Sequence, residues 1–384
     1  MPIRPAPSIL RSPRLRVTRY PRCRILKPVP GPNLQIQENV ALAPFTTLGV
    51  GGPARFFAEI RSEPELLEAV AFAKANHLPL YPLGGGSNLL VADSGFPGLV
   101  LHLTLTFPVE WSHFPSHVDL RAPAGLDWDA LVLHACNLNL SGMECLAGIP
   151  GLTGASPIQN IGAYGQEVSE TIHTVRALDL HTGLFTELPN ELCRFSYRSS
   201  LFNSTARGRY LVTAVTFRLS RDAAPNLAYA DLARHFAGRQ PTPVEVYHAV
   251  REIRRAKGML LVPEDPDARS AGSFFKNPIV PSTQLDNIAR TLHLDPASIP
   301  HWPAPGQTSG PATKLAAAWL IEQAGFRKGF QLGNAGISSR HTLALINRGE
   351  ATHADLTALR DRIRSEVQQR FSITLEQEPV DLSA

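Results

Sequence analysis

Cysteine is scarce: Cys23, Cys136, Cys145 and Cys193 are the four in 384 residues, and no two of them stand in C-x-x-C spacing. That argues against a disulfide framework, a zinc site or a redox pair, and fits a reducing cytoplasm. No apolar run reaches the ~18 to 20 residues that a bilayer crossing requires, so no membrane partner is expected. Acid is missing altogether from residues 1–32, where seven Arg and one Lys stand among prolines. These cations alone lift the net charge from −4 to the +4 of the whole chain. The body is mildly acidic, and a sequence pI near 9.0 is no signal of a nucleic-acid partner. Residues 1–35 are expected to be a disordered basic extension, without the apolar stretch of a secretory signal. A nucleic-acid-binding tail is the minor alternative. What remains is ordinary for a globular protein of two or three domains: 43% hydrophobic, 18% charged and 7% aromatic.

Glycine, in contrast, is concentrated. The run from Gly148 to Gly165 reads Gly-Ile-Pro-Gly-Leu-Thr-Gly-Ala-Ser-Pro-Ile-Gln-Asn-Ile-Gly-Ala-Tyr-Gly. Such a backbone can lie close against a flat ligand and direct amides at it, while Pro150 and Pro157 stiffen it. Ser156, Gln159 and Asn160 can hydrogen-bond the edge of a heterocycle. Ile149, Ile158 and Ile161 are apolar residues that a solvated loop does not need, so a half-buried binding loop is expected. A second glycine cluster, Gly84-Gly85-Gly86-Ser87-Asn88, follows a strand-like Leu80 to Leu83 and suits an anion-binding nest. It lacks the Lys of a phosphate-binding P-loop. Gly49 to Ala54 matches G-x-G-x-x-A formally, but the strand-like Arg55 to Ile60 follows where a helix is required, so the match is a decoy.

The remaining pattern predicts an α+β chain. The first unit has a helix over Pro64 to His77 and strands at Asn88 to Val91 and Leu99 to Leu105. The second has a strand at Val118 to Ala122, a helix over Asp127 to Asn137, a hairpin at His181-Thr182-Gly183, a strand at Tyr210 to Leu219, and a helix opened by the capping box Thr242-Pro243-Val244-Glu245. The third has helices at Ser282 to Leu292, Thr313 to Ala324 and Ala354 to Phe371, with strands at Thr342 to Asn347 and Ile373 to Val380. Domain boundaries are expected at 36–107, 108–258 and 259–372, with residues 373–384 returning as a strand to the active site.

Taken in order, Gly84 to Asn88, the run Gly148 to Gly165, Phe195-Ser196-Tyr197-Arg198-Ser199-Ser200, Arg254 to Lys257, Gly272-Ser273-Phe274-Phe275-Lys276-Asn277-Pro278 and Leu375 to Glu378 resemble one family. It is the UDP-N-acetylenolpyruvoylglucosamine reductases, also called UDP-N-acetylmuramate dehydrogenases, and Tyr229-Ala230-Asp231-Leu232 resembles its Tyr-x-x-Leu subtype. The resemblance spans roughly residues 36 to 380. It implies an FAD-binding fold of the vanillyl-alcohol-oxidase (PCMH) type in two α+β subdomains, with a C-terminal α+β substrate-binding domain. Pyrophosphate would sit on Gly84, Gly85, Gly86, Ser87 and Asn88, and isoalloxazine against Gly148, Gly151, Gly154, Ser156, Ile158, Gln159, Asn160 and Gly162, with Arg254 near flavin or phosphate. Between Ser87 and Val100 there is no His or Cys to tether a flavin, so FAD is expected to be non-covalent.

The reaction implied is reduction of UDP-N-acetylglucosamine enolpyruvate to UDP-N-acetylmuramate for peptidoglycan, with NADPH reducing FAD. Hydride reaches C3 of the vinyl ether and a proton must reach C2. By resemblance Ser273 gives that proton, Arg198 meets the substrate carboxylate, and Glu378 polarises or protonates. Arg supplies a bidentate fork, and a hydroxyl can protonate an enolate if a cation or water offsets its high pKa. Lys257 and Lys276 are candidates for that offset or for the diphosphate, and Tyr197, Tyr229 and Asn277 for the nucleotide-sugar. His341 reads equally as a buried structural His or a site residue. No metal and no nucleic acid is expected, and the working unit is expected to be a monomer. Another flavin oxidoreductase of the same fold is the alternative. The chain departs from the family at Phe45-Thr46-Thr47-Leu48, where Asn-Thr is common, at Ser270-Ala271, where Asn is usual, and at Pro379, which is expected to end the last strand early.

Overall fold

The computed structural model describes residues 34–304 and 311–383. The basic extension expected over residues 1–35 lies outside them, apart from its last two residues.

Glu38 and its neighbours begin a four-stranded mixed sheet. Strands β1 (Ile36–Ala41), β2 (Pro53–Ile60), β3 (Leu80–Leu83) and β5 (Phe96–Leu103) lie in the order β1-β2-β5-β3, with β2, β5 and β3 parallel. Helix α1 (Glu63–Ala75) starts where the Ser62 hydroxyl accepts the Glu65 N–H and Pro64 needs no donor, and it buries Leu66, Ala69, Phe72 and Ala73. The short β4 (Leu89–Val91) leaves this sheet to pair elsewhere. The segment after Gly49 is strand β2, as the decoy reading required.

The second sheet is antiparallel throughout. It is built from β6 (Glu110–His113), β7 (His117–Pro123), β10 (Ile172–Asp179), β11 (Leu184–Pro189) and β12 (Tyr210–Ser220), ordered β11-β10-β12-β7-β6; helix α2 (Trp128–Asn137) and the small hairpin β8 (Gly162–Ala163) and β9 (Gln166–Glu167) fall between β7 and β10. Helices α3 (Ala230–Phe236) and α4 (Pro243–Ala256) follow. The α4 capping box forms as the sequence predicts, with Thr242 and Glu245 each accepting the other's backbone N–H. Val246, Val250 and Arg254 recur at every fourth position of α4 and are all buried, so the core stripe ends on a cation.

The last region holds β13 (Ile279–Pro281), α5 (Ser282–Leu292), β14 (His301–Pro303), β15 (Ala312–Leu315), α6 (Ala317–Gln323), β16 (Gln331–Leu332), β17 (Ala335–Ile337), β18 (Leu345–Asn347), α7 (His353–Phe371) and β19 (Val380–Leu382). Three expectations change here. The helix predicted from Thr313 begins only at Ala317, because 312–315 alternates, with Thr313 and Leu315 buried, and pairs with β13 on one side and β14 on the other. The terminal strand predicted over Ile373 to Val380 instead begins after Pro379. Residues 373–378 carry one isolated bridge, Phe275 to Gln377, and β19 pairs in parallel with β4. Pro379 precedes the strand it was expected to cut short, and lacks an N–H only where none is needed. The strand predicted from Thr342 is likewise shorter and starts at Leu345.

Candidate active site

The two glycine segments meet backbone to backbone. A Cβ on Gly85 would come within 2.7 Å of Gly151 Cα, and one on Gly86 (φ +62) within 1.8 Å of Phe45 O. Only glycine allows both approaches. Polar groups then stitch the turn to the loop: Ser87 Oγ donates to Pro150 O at 2.7 Å, and Asn88 Nδ2 donates to Gln159 Oε1. Other bonds fix the loop itself. Trp128 Nε1 donates to Leu146 O at 3.0 Å, the Trp128 N–H to Gly151 O, and the Gly154 N–H to Ala124 O. A Cβ on Gly154 would meet Ala124 Cβ at 2.4 Å.

Several residues predicted to touch the cofactor also maintain the loop. Arg254 is buried, donating from Nε to Gly148 O at 3.1 Å and from Nη2 to Met259 O at 2.7 Å; burial pulls its pKa down. Ser156 Oγ donates to Thr153 O. Asn160 Nδ2 donates to Glu167 Oε2 and Ser196 O, and its Oδ1 accepts the Ser169 N–H. Ile158 O takes the Ser200 hydroxyl at 2.6 Å. Ser156, Ile158 and Asn160 therefore shape the surface on which a flavin would lie.

One side chain beside the turn was not singled out from sequence. Thr47 Oγ1 is buried without a hydrogen-bond partner, and the Thr47 N–H donates to Gly86 O at 3.2 Å. A buried hydroxyl left unpaired is costly, and a phosphate oxygen on the adjacent turn would satisfy it. The glycine cradle and this orphaned hydroxyl fit the pyrophosphate of FAD. The signal was the departure at Phe45-Thr46-Thr47-Leu48.

The catalytic candidates converge from three separate parts of the chain. Arg198 sits at φ +53 in a tight Ser196–Ser199 turn, which turns its side chain inwards. Its Nε donates to Glu378 Oε1 at 2.8 Å and its Nη2 to Gly162 O at 2.8 Å. A Cβ on Gly162 would lie 3.0 Å from Arg198 Nη1, so glycine there makes room for the guanidinium. The Glu378 N–H donates to Phe274 O at 2.9 Å, bringing the Glu378 backbone beside the residue that follows Ser273, and Asn88 Nδ2 reaches Glu378 O at 3.4 Å. Burial pushes the Glu378 carboxyl up, against a smaller opposing pull from Arg198. Ser273 is half-buried.

The predicted substrate contacts divide. Lys257 Nζ lies 5.7 Å from the Tyr164 ring centre and 5.8 Å from that of Tyr229, and pairs with Asp231 Oδ2 at 2.6 Å. Tyr197 carries Arg198 and Lys314 over its ring, at 5.3 and 4.8 Å. Lys276 pairs with the exposed Glu376, and Asn277 Oδ1 accepts the Ala317 N–H, fixing the start of α6. His341 Nδ1 accepts the Leu343 N–H at 3.1 Å, while Leu343 O accepts the Phe274 N–H at 2.8 Å. Burial first, then Lys257 and Lys328, push the His341 imidazole down to about 4, so it is neutral, with its proton on Nε2.

Residues 265–381 match the profile of the UDP-N-acetylenolpyruvoylglucosamine reductase C-terminal domain, and residues 54–188 that of an FAD binding domain. The UDP-N-acetylenolpyruvoylglucosamine reductase of Thermobifida fusca is 45% identical over 349 residues, covering 89% of this chain and 97% of that one. The chain belongs to the UDP-N-acetylenolpyruvoylglucosamine reductase family. The reductase of that name from Streptomyces coelicolor is 42% identical over 387 residues, with 96% of each chain covered. A crystal structure of the Thermus caldophilus reductase superposes with a TM-score of 0.60 at 27% identity, covering 91% of this chain and all of that one. The family accounts for the α+β architecture and for FAD as the cofactor.

Proposed function

We propose that Ser273, Arg198 and Glu378 form the centre at which this reductase completes its reaction on the enolpyruvyl group. As a family member the chain is an NADPH-dependent FAD oxidoreductase that converts UDP-N-acetylglucosamine enolpyruvate to UDP-N-acetylmuramate in peptidoglycan precursor synthesis. The observation that carries the proposal is the Arg198–Glu378 pair, with the Glu378 backbone bonded to Phe274 next to Ser273.

When bound, FAD would supply the two-electron chemistry that links NADPH to C3 of the vinyl ether. Thr47, Gly85, Gly86, Ser87 and Asn88 would hold its pyrophosphate, and the 148–165 loop, braced by Arg254, its ring system. The protein must then deal with charge and with a proton. Hydride addition pushes negative charge towards a carboxylate that is already anionic, and the Nη1 edge of Arg198, which makes no hydrogen bond among the described residues, is available to that carboxylate. Ser273 delivers a proton to C2, and solvent restores the hydroxyl. Glu378, raised by burial, stabilises the same charge by holding Arg198 and by hydrogen bonding. Lys257, facing two tyrosine rings, meets the substrate diphosphate.

Among the described residues no helix is long and apolar enough to cross a membrane. The free, buried Cys136, Cys145 and Cys193 suit a reducing cytoplasm.

The test has two parts. Acid precipitation of the purified protein should release its yellow flavin into the supernatant, establishing non-covalent FAD. Under anaerobic conditions NADPH should then bleach the flavin, and the enolpyruvyl nucleotide-sugar should restore its colour. Bleaching without recovery on substrate would refute the assigned second half-reaction.

A further inference from the structure

We propose that Arg360, on α7 and outside the turn, loop and cluster described above, is a positioning residue for Glu378. Its guanidinium grips the C-terminal segment 377–381 on both sides of the carboxylate that pairs with Arg198.

The need for such a grip follows from the backbone. Glu378 lies in a stretch without regular structure, between the single bridge at Gln377 and the start of β19 at Val380. Three backbone bonds secure it: Lys276 N–H to Glu376 O, Glu378 N–H to Phe274 O and Val380 N–H to Asn88 O, each at 2.9 Å. They fix the depth of the segment but not the orientation of Gln377 and Asp381, the side chains that flank Glu378.

Arg360 supplies what is missing. Its Nη1 donates to Gln377 Oε1 at 3.0 Å and to Asp381 Oδ2 at 3.3 Å, one residue before Glu378 and three after it. The other edge of the guanidinium is occupied by Asp361, through Nε to Oδ1 at 2.7 Å and Nη2 to Oδ2 at 3.0 Å, and this fork fixes the plane. Gln377 passes the constraint on, because its Nε2 donates to Pro379 O at 2.7 Å. Asp381 is held from a second direction, with Oδ1 3.0 Å from His353 Nε2. The base of the clamp is rigid. Helix α7 buries Leu356, Leu359, Ile363, Val367 and Phe371, and Asp93 accepts the N–H groups of His353 and Ala354 at its start. The Arg360 side chain is only 16% exposed, so its pairs escape much of the screening that weakens surface ion pairs. Lysine could place one nitrogen between Gln377 and Asp381, but it lacks the Nε–Nη2 fork that Asp361 holds in plane, so its grip would be looser.

The catalytic consequence rests on the role proposed for Glu378; the clamp itself does not. The experiment uses full-length, FAD-loaded Arg360→Ala and Arg360→Lys, alone and combined with Glu378→Gln. Hydrogen–deuterium exchange across 377–382 should speed up by about tenfold or more in Arg360→Ala while the FAD-binding strands are unchanged. Reoxidation by the enolpyruvyl substrate should slow by about tenfold and NADPH-driven bleaching by less than about twofold, with Arg360→Lys in between. On a Glu378→Gln background, Arg360→Ala should add less than about twofold, since it acts through that carboxylate. Unchanged exchange, equal slowing of both half-reactions or fully additive effects would each overturn the proposal. Should Glu378→Gln itself be without effect, the role of Glu378 falls and the exchange result alone decides the clamp. Asp381→Asn tests the same grip from the other partner if Arg360→Ala does not fold.

Discussion

Arg198 and Glu378 lie 180 residues apart in the chain and share a hydrogen bond of 2.8 Å, with Arg198 Nε donating to Glu378 Oε1. The same guanidinium donates to Gly162 O in the flavin loop. One cation thus joins the loop expected to carry FAD to the C-terminal segment expected to meet substrate.

Replacing Arg198 by Lys keeps the charge and loses the fork. An ammonium carries all its donors on one nitrogen and lacks the planar fork that spans Glu378, Gly162 and a substrate carboxylate, so kcat with the enolpyruvyl substrate should fall by roughly two orders of magnitude. NADPH-driven bleaching of the flavin should hardly change. Rapid-mixing measurement of the two half-reactions checks this, and an unchanged second half-reaction would contradict bidentate recognition.

Gly85→Ala tests the backbone contact under the cofactor. The added methyl would sit 2.7 Å from Gly151 Cα, and a backbone neighbour cannot move aside as a side-chain tip can. A loss of about 1 to 3 kcal/mol in stability is expected, with a clear drop in flavin content of the purified protein. Denaturant unfolding and the visible spectrum read the two effects. Wild-type flavin content would argue that the turn and loop do not cradle FAD together.

The His341 imidazole gives a pH signature. Its pKa is about 4 in the fold against the ordinary 6.5, so the unfolded chain binds the proton first as pH falls. The stability tied to the neutral ring is complete above pH 6.5, declines from there to about pH 4 and is gone below. It amounts to roughly 3 kcal/mol as an upper figure for a mostly buried ring. Urea midpoints between pH 7 and pH 4 should fall less steeply for His341→Gln than for the wild type. Parallel curves would show that His341 is not the group responsible.

Local chemistry made much of this visible beforehand. Capping residues at Thr242 and Glu245, the glycine clusters and the 3.6-residue stripe of α7 all act within a few positions, and the elements form where those signals lie. What stayed hidden depends on distant partners. Residues 312–315 become a strand only because β13 and β14 flank them, and nothing in Ala-Thr-Lys-Leu forces that choice over a helix. Pro379 reads as a strand breaker until β4 supplies a partner for Val380 to Leu382. Asn160, Asn277 and Arg254 read as ligand contacts from their motifs, and their hydrogen bonds to loop and helix backbones emerge only in three dimensions. Thr47 shows the reverse. An ordinary threonine in sequence becomes a pointer to the cofactor once its hydroxyl is found buried and unpaired.

The central claim is that Ser273 serves one half of the reaction only, as donor of the proton to C2. The most direct test is Ser273→Ala, with NADPH-driven bleaching and substrate-driven reoxidation timed separately under anaerobic conditions. The account predicts normal FAD binding and near-normal bleaching, with reoxidation slowed by several orders of magnitude. Near-normal reoxidation, or equal damage to both steps, would contradict it.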